Sequence, residues 1–346
     1  MLRVSVAALA CVGVVAVPRA QQPATFSAGN RTVAVFATVT DATGRLVPDL
    51  GRDQFQIDDN GKRQDISVFA NEIQPITVVM LLDRSGSMRA NFGLVAKAAE
   101  QFVEVMLPAD KARIGSFSDR IQVDPRDFTP DHGELLDILH NDLQSAGATP
   151  LWNAINVGIT DLLHQEGRRV VLVFTDGKDA PPNMSSTNTS LKDVMKRAEE
   201  ENVMVYAIGL ASNAGRSYGG GNGGGYGGRR RGGGGGIGGR GGFGGRGGRG
   251  GYGGRGGSNR RSQDDKPDDG LPKLAAATGG GYFELTSTDD LAKTFTRVAD
   301  ELHHQYALGF TPEKLDGKMH KLELRITPNT LLARARRSYL ATVPRS

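Results

Sequence analysis

The sequence predicts a doubly wound, mainly parallel α/β sheet inserted between two β segments that together form a small β-sandwich. Three observations predict it. The runs Ile76–Leu82, Arg168–Phe174 and Val203–Leu210 are of strand length and largely without polar alternation, as in strands buried on both faces. Segments with helical spacing alternate with them. Short β-branched segments lie before and after this unit.

Taken in order, Thr32–Thr40 (TVAVFATVT) alternates like a strand, and Asp41-Ala42-Thr43-Gly44 reads as a turn. Gln54–Asp58 and Gln64–Ala70 read as strands around Asn60-Gly61, a strong hairpin signal. After the buried run at Ile76, Phe92–Leu107 places Val95, Ala99, Phe102, Val103 and Met106 on one helix side, and Ala112–Phe117 is a strand. His132–Leu143 and Leu151–His164 are helices, followed by the second buried run, a helix over Leu191–Glu200 and the third run. Leu271–Thr278, Gly281–Leu285 and Thr288–Leu302 add a helix, a strand and an amphipathic helix. Tyr306–Phe310, Lys321–Thr327 and Arg336–Ala341 return to strand, with turns at Asp316-Gly317 and Pro328-Asn329. Each β set is too small to close a core alone. The expected domains are therefore an α/β domain over 75–303 and β segments over 26–74 and 304–343 that pair with each other.

Composition separates the rest. Of 346 residues 48 are glycine, and 28 of these fall between Gly215 and Gly257. Arg216–Arg261 holds ten arginines and no acidic residue. Without these and Arg3 and Arg19, 30 basic residues face 38 acidic ones, so an acidic folded body carries one basic insertion, 215–263. At the start, Met1-Leu2-Arg3 precedes the 14-residue apolar run Val4–Val17. A spanning helix needs roughly 18 apolar residues, so 1–20 reads as an export signal cut after Ala20. No later segment is long enough to span, and the expected location is periplasmic, cell-surface or extracellular. The single cysteine, Cys11, lies inside this signal, so the mature chain has no disulfide; Ala8-Leu9-Ala10-Cys11 is a degenerate match to a lipoprotein cleavage box.

The buried run at Ile76 ends in Asp83-Arg84-Ser85-Gly86-Ser87. Three oxygen-bearing side chains alternate there, at the strand's carboxyl end, where open α/β sheets bind ligands. Thr149 stands in Gly147-Ala148-Thr149-Pro150 before a helix, and Asp176 in Thr175-Asp176-Gly177 after the second buried run. Asp-x-Ser-x-Ser followed by Thr and Asp resembles the metal-ion-dependent adhesion site of von Willebrand factor A domains. Asp83, Ser85, Ser87, Thr149 and Asp176 fill its five positions, and the resemblance covers Pro75 to about His303. The flanks resemble a bacterial exported group in which such a domain sits between β segments. They match at Asp53-Gln54-Phe55, Asp59-Asn60-Gly61, Ile66-Ser67-Val68-Phe69, Tyr306-Ala307-Leu308-Gly309-Phe310 and Arg336–Tyr339.

The resemblance implies that Ser85 and Ser87 bind the metal directly, and Thr149 directly or through water. Asp83 and Asp176 would act mostly through water and hydrogen bonds. Mg²⁺ is the ion implied, with Mn²⁺ or Ca²⁺ as alternatives; Mg²⁺ takes six hard oxygen ligands and sheds water reluctantly. A remaining position would take the carboxylate of a protein or cell-surface partner. With two carboxylates around a divalent ion the site is neutral, so an anion is not repelled. Asp119 and Asp179 are open between surface solvation and a role near this site.

The glycine–arginine insertion, with Tyr218, Tyr226, Phe243 and Tyr252, has too little apolar surface to fold and is expected to be disordered. It reads as a flexible loop without a ligand, a contact for anionic surface polymers, or a nucleic-acid binder resembling RGG repeats. None of the six histidines (His132, His140, His164, His303, His304, His320) adjoins the metal motif, and Trp152 reads as helix packing. No nucleophile–base arrangement is evident, so the expected function is binding rather than catalysis.

Overall fold

The computed structural model describes residues 32–141, 143, 147–183, 188–210, 269–285 and 290–343. The expected export signal and the glycine–arginine insertion lie outside them. The described chain opens with strands β1 (Val33–Thr40), β2 (Phe55–Asp59), β3 (Lys62–Gln64) and β4 (Ile66–Ala70). β2 and β3 form a hairpin on Asn60 and Gly61, both left-handed (φ 50° and 81°), the backbone a two-residue hairpin turn demands. The single strand expected over Gln64–Ala70 is divided. Gln64 closes the hairpin, and after Asp65 the chain crosses to another sheet as β4.

The α/β unit follows. Its elements are β5 (Ile76–Asp83), α1 (Phe92–Glu104), β6 (Lys111–Phe117), β7 (Ile121–Thr129), α2 (His132–Asn141) and α3 (Leu151–Leu162). They continue as β8 (Arg168–Thr175), α4 (Leu191–Glu200), β9 (Met204–Leu210), α5 (Gly270–Thr278), β10 (Tyr282–Leu285) and α6 (Leu291–His303). The strand order is β10-β9-β8-β5-β6-β7, parallel except for β7. Sequence reading missed β7. Its segment IQVDPRDFT carries Pro125 and three charges, and it is tolerated because the strand lies at the sheet's edge. α1, α2 and α6 cover one face through residues such as Phe102, Ile138 and Phe295. α3, α4 and α5 cover the other through Ile155, Val194 and Leu274, with Trp152 packed among them. Both faces being covered explains the apolar runs Val78–Leu82 in β5, Val170–Phe174 in β8 and Met204–Leu210 in β9.

The chain closes with β11 (Tyr306–Phe310), β12 (Met319–Ile326), β13 (Leu332–Ala335) and β14 (Ser338–Leu340). Leu332–Ala335 adds a strand not read from the sequence. Two antiparallel sheets result, β13-β1-β11-β4 and β14-β12-β2-β3, each mixing strands from before and after the α/β unit. Phe55, Ile57, Tyr306, Phe310 and Tyr339 fill a shared core between them. The sandwich is joined to the α/β unit by buried polar contacts. Gln305 donates to Thr38 Oγ1 (3.0 Å), Arg168 to the Leu302 and Gln305 carbonyls, and Arg334 to Tyr206 Oη (3.1 Å) and Glu301.

Backbone approach is tightest at the α5–β10 turn. A Cβ on Gly280 would overlap the Val205 carbonyl of β9, whereas one on Gly93 in α1 meets nothing within 4 Å. Gly280→Ala is therefore expected to lower unfolding free energy by more than about 2 kcal/mol. Gly93→Ala, in a helix, should leave it unchanged or raise it by about 0.5–1 kcal/mol. Urea denaturation of the two variants measures this, and equal effects would contradict the packing.

Candidate metal centre

The order in which strands are added reverses at β5: β6 joins on one side, and β8, β9 and β10 extend the other. The loops leaving β5 and β8 therefore diverge to opposite faces, which opens a crevice at their carboxyl ends. Asp83 ends β5, and Thr175 ends the adjacent β8 with Asp176 next. Both carboxylates thus arrive at one edge by register, Leu82 lying opposite Phe174.

Three loops are bound together there. Asp83 Oδ1 accepts the Ser85 amide (2.9 Å), which turns the chain sharply after β5, and Asp83 Oδ2 accepts the Thr175 hydroxyl (2.6 Å). The Ser85 and Ser87 hydroxyls lie 3.1 Å apart, Ser85 buried and Ser87 exposed. The Gly86 amide reaches the Gly147 carbonyl at 3.5 Å. Thr149 and Ala180 exchange both backbone hydrogen bonds at 2.8 Å, which ties the Thr149 loop to the one carrying Asp176. The structure therefore brings all five expected residues to the same three joined loops.

Asp119 and Asp179, ambiguous in the sequence, act as supports. Asp119 Oδ1 accepts the Ala148 amide (2.8 Å), and Asp179 Oδ1 accepts the Trp152 amide at the start of α3 (3.4 Å). Thr175 was missed as a participant. It bridges the two strands, donating to Asp83 and accepting from the Gly177 amide (3.0 Å). Its signal was present, a hydroxyl directly after the apolar run Val170–Phe174, but only the register shows its partner. Four histidines lie against carboxylates of their own surroundings: His303 with Asp110, His320 with Asp59, His140 with Glu100 and His304 with Asp300.

The electrostatics are set by burial. Asp83, Ser85 and Thr175 are inaccessible, and Asp176 and Thr149 nearly so. Desolvation raises the Asp83 carboxyl to about 6, the Asp176 charge adds to this, and hydrogen bonds from Ser85 and Thr175 oppose it. The side chains that act on the Asp83 carboxyl are Ser85, Thr175 and Asp176. The donors present are two carboxylates and three hydroxyls, oxygen only, which fits a small hard divalent cation. Among the described residues no group of three or more His, Cys, Asp or Glu is gathered as a metal site.

The family model described as the von Willebrand factor type A domain matches residues 77–218, from β5 past the end of β9. This chain carries a von Willebrand factor type A domain. Solved structures are similar to this chain at low identity. Proximal thread matrix protein 1 from the mussel byssus, with a zinc-occupied MIDAS motif, is 14% identical over 71% of this chain and 50% of its own, with a TM-score of 0.47. The chain thus spans about half the length of that protein. A von Willebrand factor type A protein from Catenulispora acidiphila is 10% identical over 90% of this chain and 73% of its own, TM-score 0.46. An aerotolerance-related membrane protein from Bacteroides fragilis, mutated to serine at several positions, is 16% identical over 65% of this chain and 99% of its own, TM-score 0.41. No curated protein matches by sequence.

The raised Asp83 carboxyl has a signed consequence for the metal-free VWA domain. Its folded value, about 6, lies above the ordinary 3.8, so the folded state holds the proton more tightly. The stabilisation is full below the ordinary value and is lost as pH rises through the folded one. A shift from 3.8 to about 6 corresponds to about 3 kcal/mol. Asp83→Asn in EDTA is expected to match wild type in acid and to be more stable at neutral pH. Thermal unfolding across that range checks it; a variant less stable at neutral pH would contradict the account.

Proposed function

We propose that this chain is an exported, metal-dependent binding module. Asp83, Ser85, Ser87, Thr149 and Asp176 hold a divalent ion, Mg²⁺ in the first instance and Mn²⁺ or Ca²⁺ as alternatives. The carrying observation is the pair of carboxylates at the ends of adjacent strands, with Asp83 buried beside the Ser85 and Thr175 hydroxyls. A bound divalent ion supplies the missing positive charge and a Lewis-acid position for an outside oxygen. The chain's residues do the rest. Thr175 and the Ser85 amide hold Asp83 in place, the Thr149–Ala180 pairing sets the second loop against the third, and Ser87 stands at the exposed rim where a partner would approach.

The partner is a protein or cell-surface ligand presenting a carboxylate, since that hard anionic oxygen suits a hydroxyl-rich, neutralised site. Export rests on the basic start and apolar run within residues 1–20. No helix among the described residues is long and apolar enough to cross a membrane. Binding rather than catalysis is proposed because the centre's side chains are metal donors and supports, without a described histidine beside them.

A second reading has one observation in its favour. β9 ends at Leu210 on the same sheet edge as Asp83, and the chain returns at Asp269 before α5, so the ten-arginine insertion is anchored beside the centre. On this reading the insertion binds nucleic acid or an anionic surface polymer by charge.

Calorimetric titration with Mg²⁺ tests the first reading. Asp83→Ala is expected to abolish metal binding and metal-dependent partner capture, and equal metal affinity in both proteins would remove the proposal. Deleting Gly219–Gly257 separates the two readings. Capture from an envelope extract that survives deletion but fails in EDTA belongs to the metal centre. Capture lost on deletion, and falling steeply with salt, belongs to the insertion.

A further inference from the structure

At the opposite edge of the sheet, below the amino ends of β8 and β9, a cleft of about 490 Å³ separates the α/β unit from the sandwich. Arg169 and Arg336 line it from the two sides. Arg169 is held in place, donating to the carbonyls of Leu163 (3.4 Å) and Glu201. Arg336 differs. Its Nε is buried and has no hydrogen-bond partner among the described residues, and the Tyr339 ring lies 5.9 Å from its guanidinium carbon.

The position of Arg336 is enforced by the backbone. It forms an isolated bridge with Thr278, and the Arg337 amide donates to the Ala277 carbonyl (3.0 Å). Gly279, left-handed at φ 81°, sits so close that a Cβ there would press on the Arg336 amide. Burial pushes the Arg336 guanidinium down to about 10, the Tyr339 side chain opposing and the like charge of Arg169 adding to this. Three glutamates, Glu166, Glu200 and Glu201, also line the cleft, and none is hydrogen-bonded or ion-paired to Arg336 among the described residues. Glu201 faces Arg169, and Glu200 lies 3.8 Å from Lys196. Arg336 is half-buried: its Nε is closed off from water while the residue borders the cleft, and a buried polar nitrogen is ordinarily paired because leaving it unpaired is costly.

We infer that this interdomain cleft is a binding site for a small oxyanion, clamped between Arg169 and Arg336. The planar fork of arginine takes two oxygens of a phosphate, sulfate or carboxylate side by side. The ligand would bridge the sandwich and the α/β unit and stabilise their docking. The site is independent of the metal centre, on the far edge of the sheet.

Thermal unfolding of the full chain in EDTA, with chloride balancing ionic strength, tests it. Inorganic phosphate, sulfate and acetate are titrated separately, so the arms separate a tetrahedral ligand from a carboxylate. Wild type and Asp83→Ala should both show a saturable rise in Tm with at least one anion. Arg336→Gln and Arg169→Gln should require about tenfold more anion or show no saturation. Should Arg336→Gln fail to fold, Arg169→Gln and Arg336→Lys carry the comparison, the lysine keeping the charge without the fork. A rise that does not saturate, or one equal in wild type and the arginine variants, is general salting-out and overturns the site.

Discussion

The centre of this molecule is an electrostatic imbalance. Asp83 is held out of water at the end of β5, beside Asp176 at the end of the next strand. Removing a carboxylate from solvent is expensive, and two together repel each other. The protein offsets part of this with the Ser85 amide and the Thr175 hydroxyl, but Asp83 still holds its proton far more tightly than a surface aspartate. Such an arrangement is retained where something positive completes it. The hydroxyls of Ser85, Ser87 and Thr149 mark where that ion would sit among neutral donors.

The sheet makes this arrangement possible. Parallel strands covered on both faces leave only their ends open to solvent, and the reversal of strand order at β5 parts the helices above Asp83. Strands with apolar centres then place the polar side chains at their ends with little freedom. Supports from outside the five donors hold the loops, Asp119 against Ala148 and Asp179 against Trp152. A loop so braced needs little rearrangement when it gains a ligand.

The sandwich is more than an appendage. Its β1 and β11 contribute Ala34, Phe36 and Ala307 to the same core as α1 and α6. Glu301 on α6 is buried against Arg334 of β13, and His303 meets Asp110, whose other contacts are the amides of Ile76 and Leu107. The last helix of the α/β unit is thus fixed to the start of β5 and to the sandwich together. The Arg169–Arg336 cleft lies in this same junction, so whatever occupies it acts on the joint between the two units.

Much of this was legible in the sequence. The apolar runs Val78–Leu82, Val170–Phe174 and Val203–Leu210 mean strands covered on both sides, and the residues after two of them, with Thr149, gave the five proposed site positions. These features follow from local hydrophobic period and chain order, which a sequence states directly. It did not reveal β7, because an edge strand tolerates Pro125 and charge, nor the break at Asp65, because one apolar alternation can serve two sheets. Nor could it assign Thr175, Asp119 or Asp179, or leave Arg336 without a partner. Those depend on which groups meet across long separations in the chain. That is decided by register, by the covering of one surface with another, and by where water is shut out.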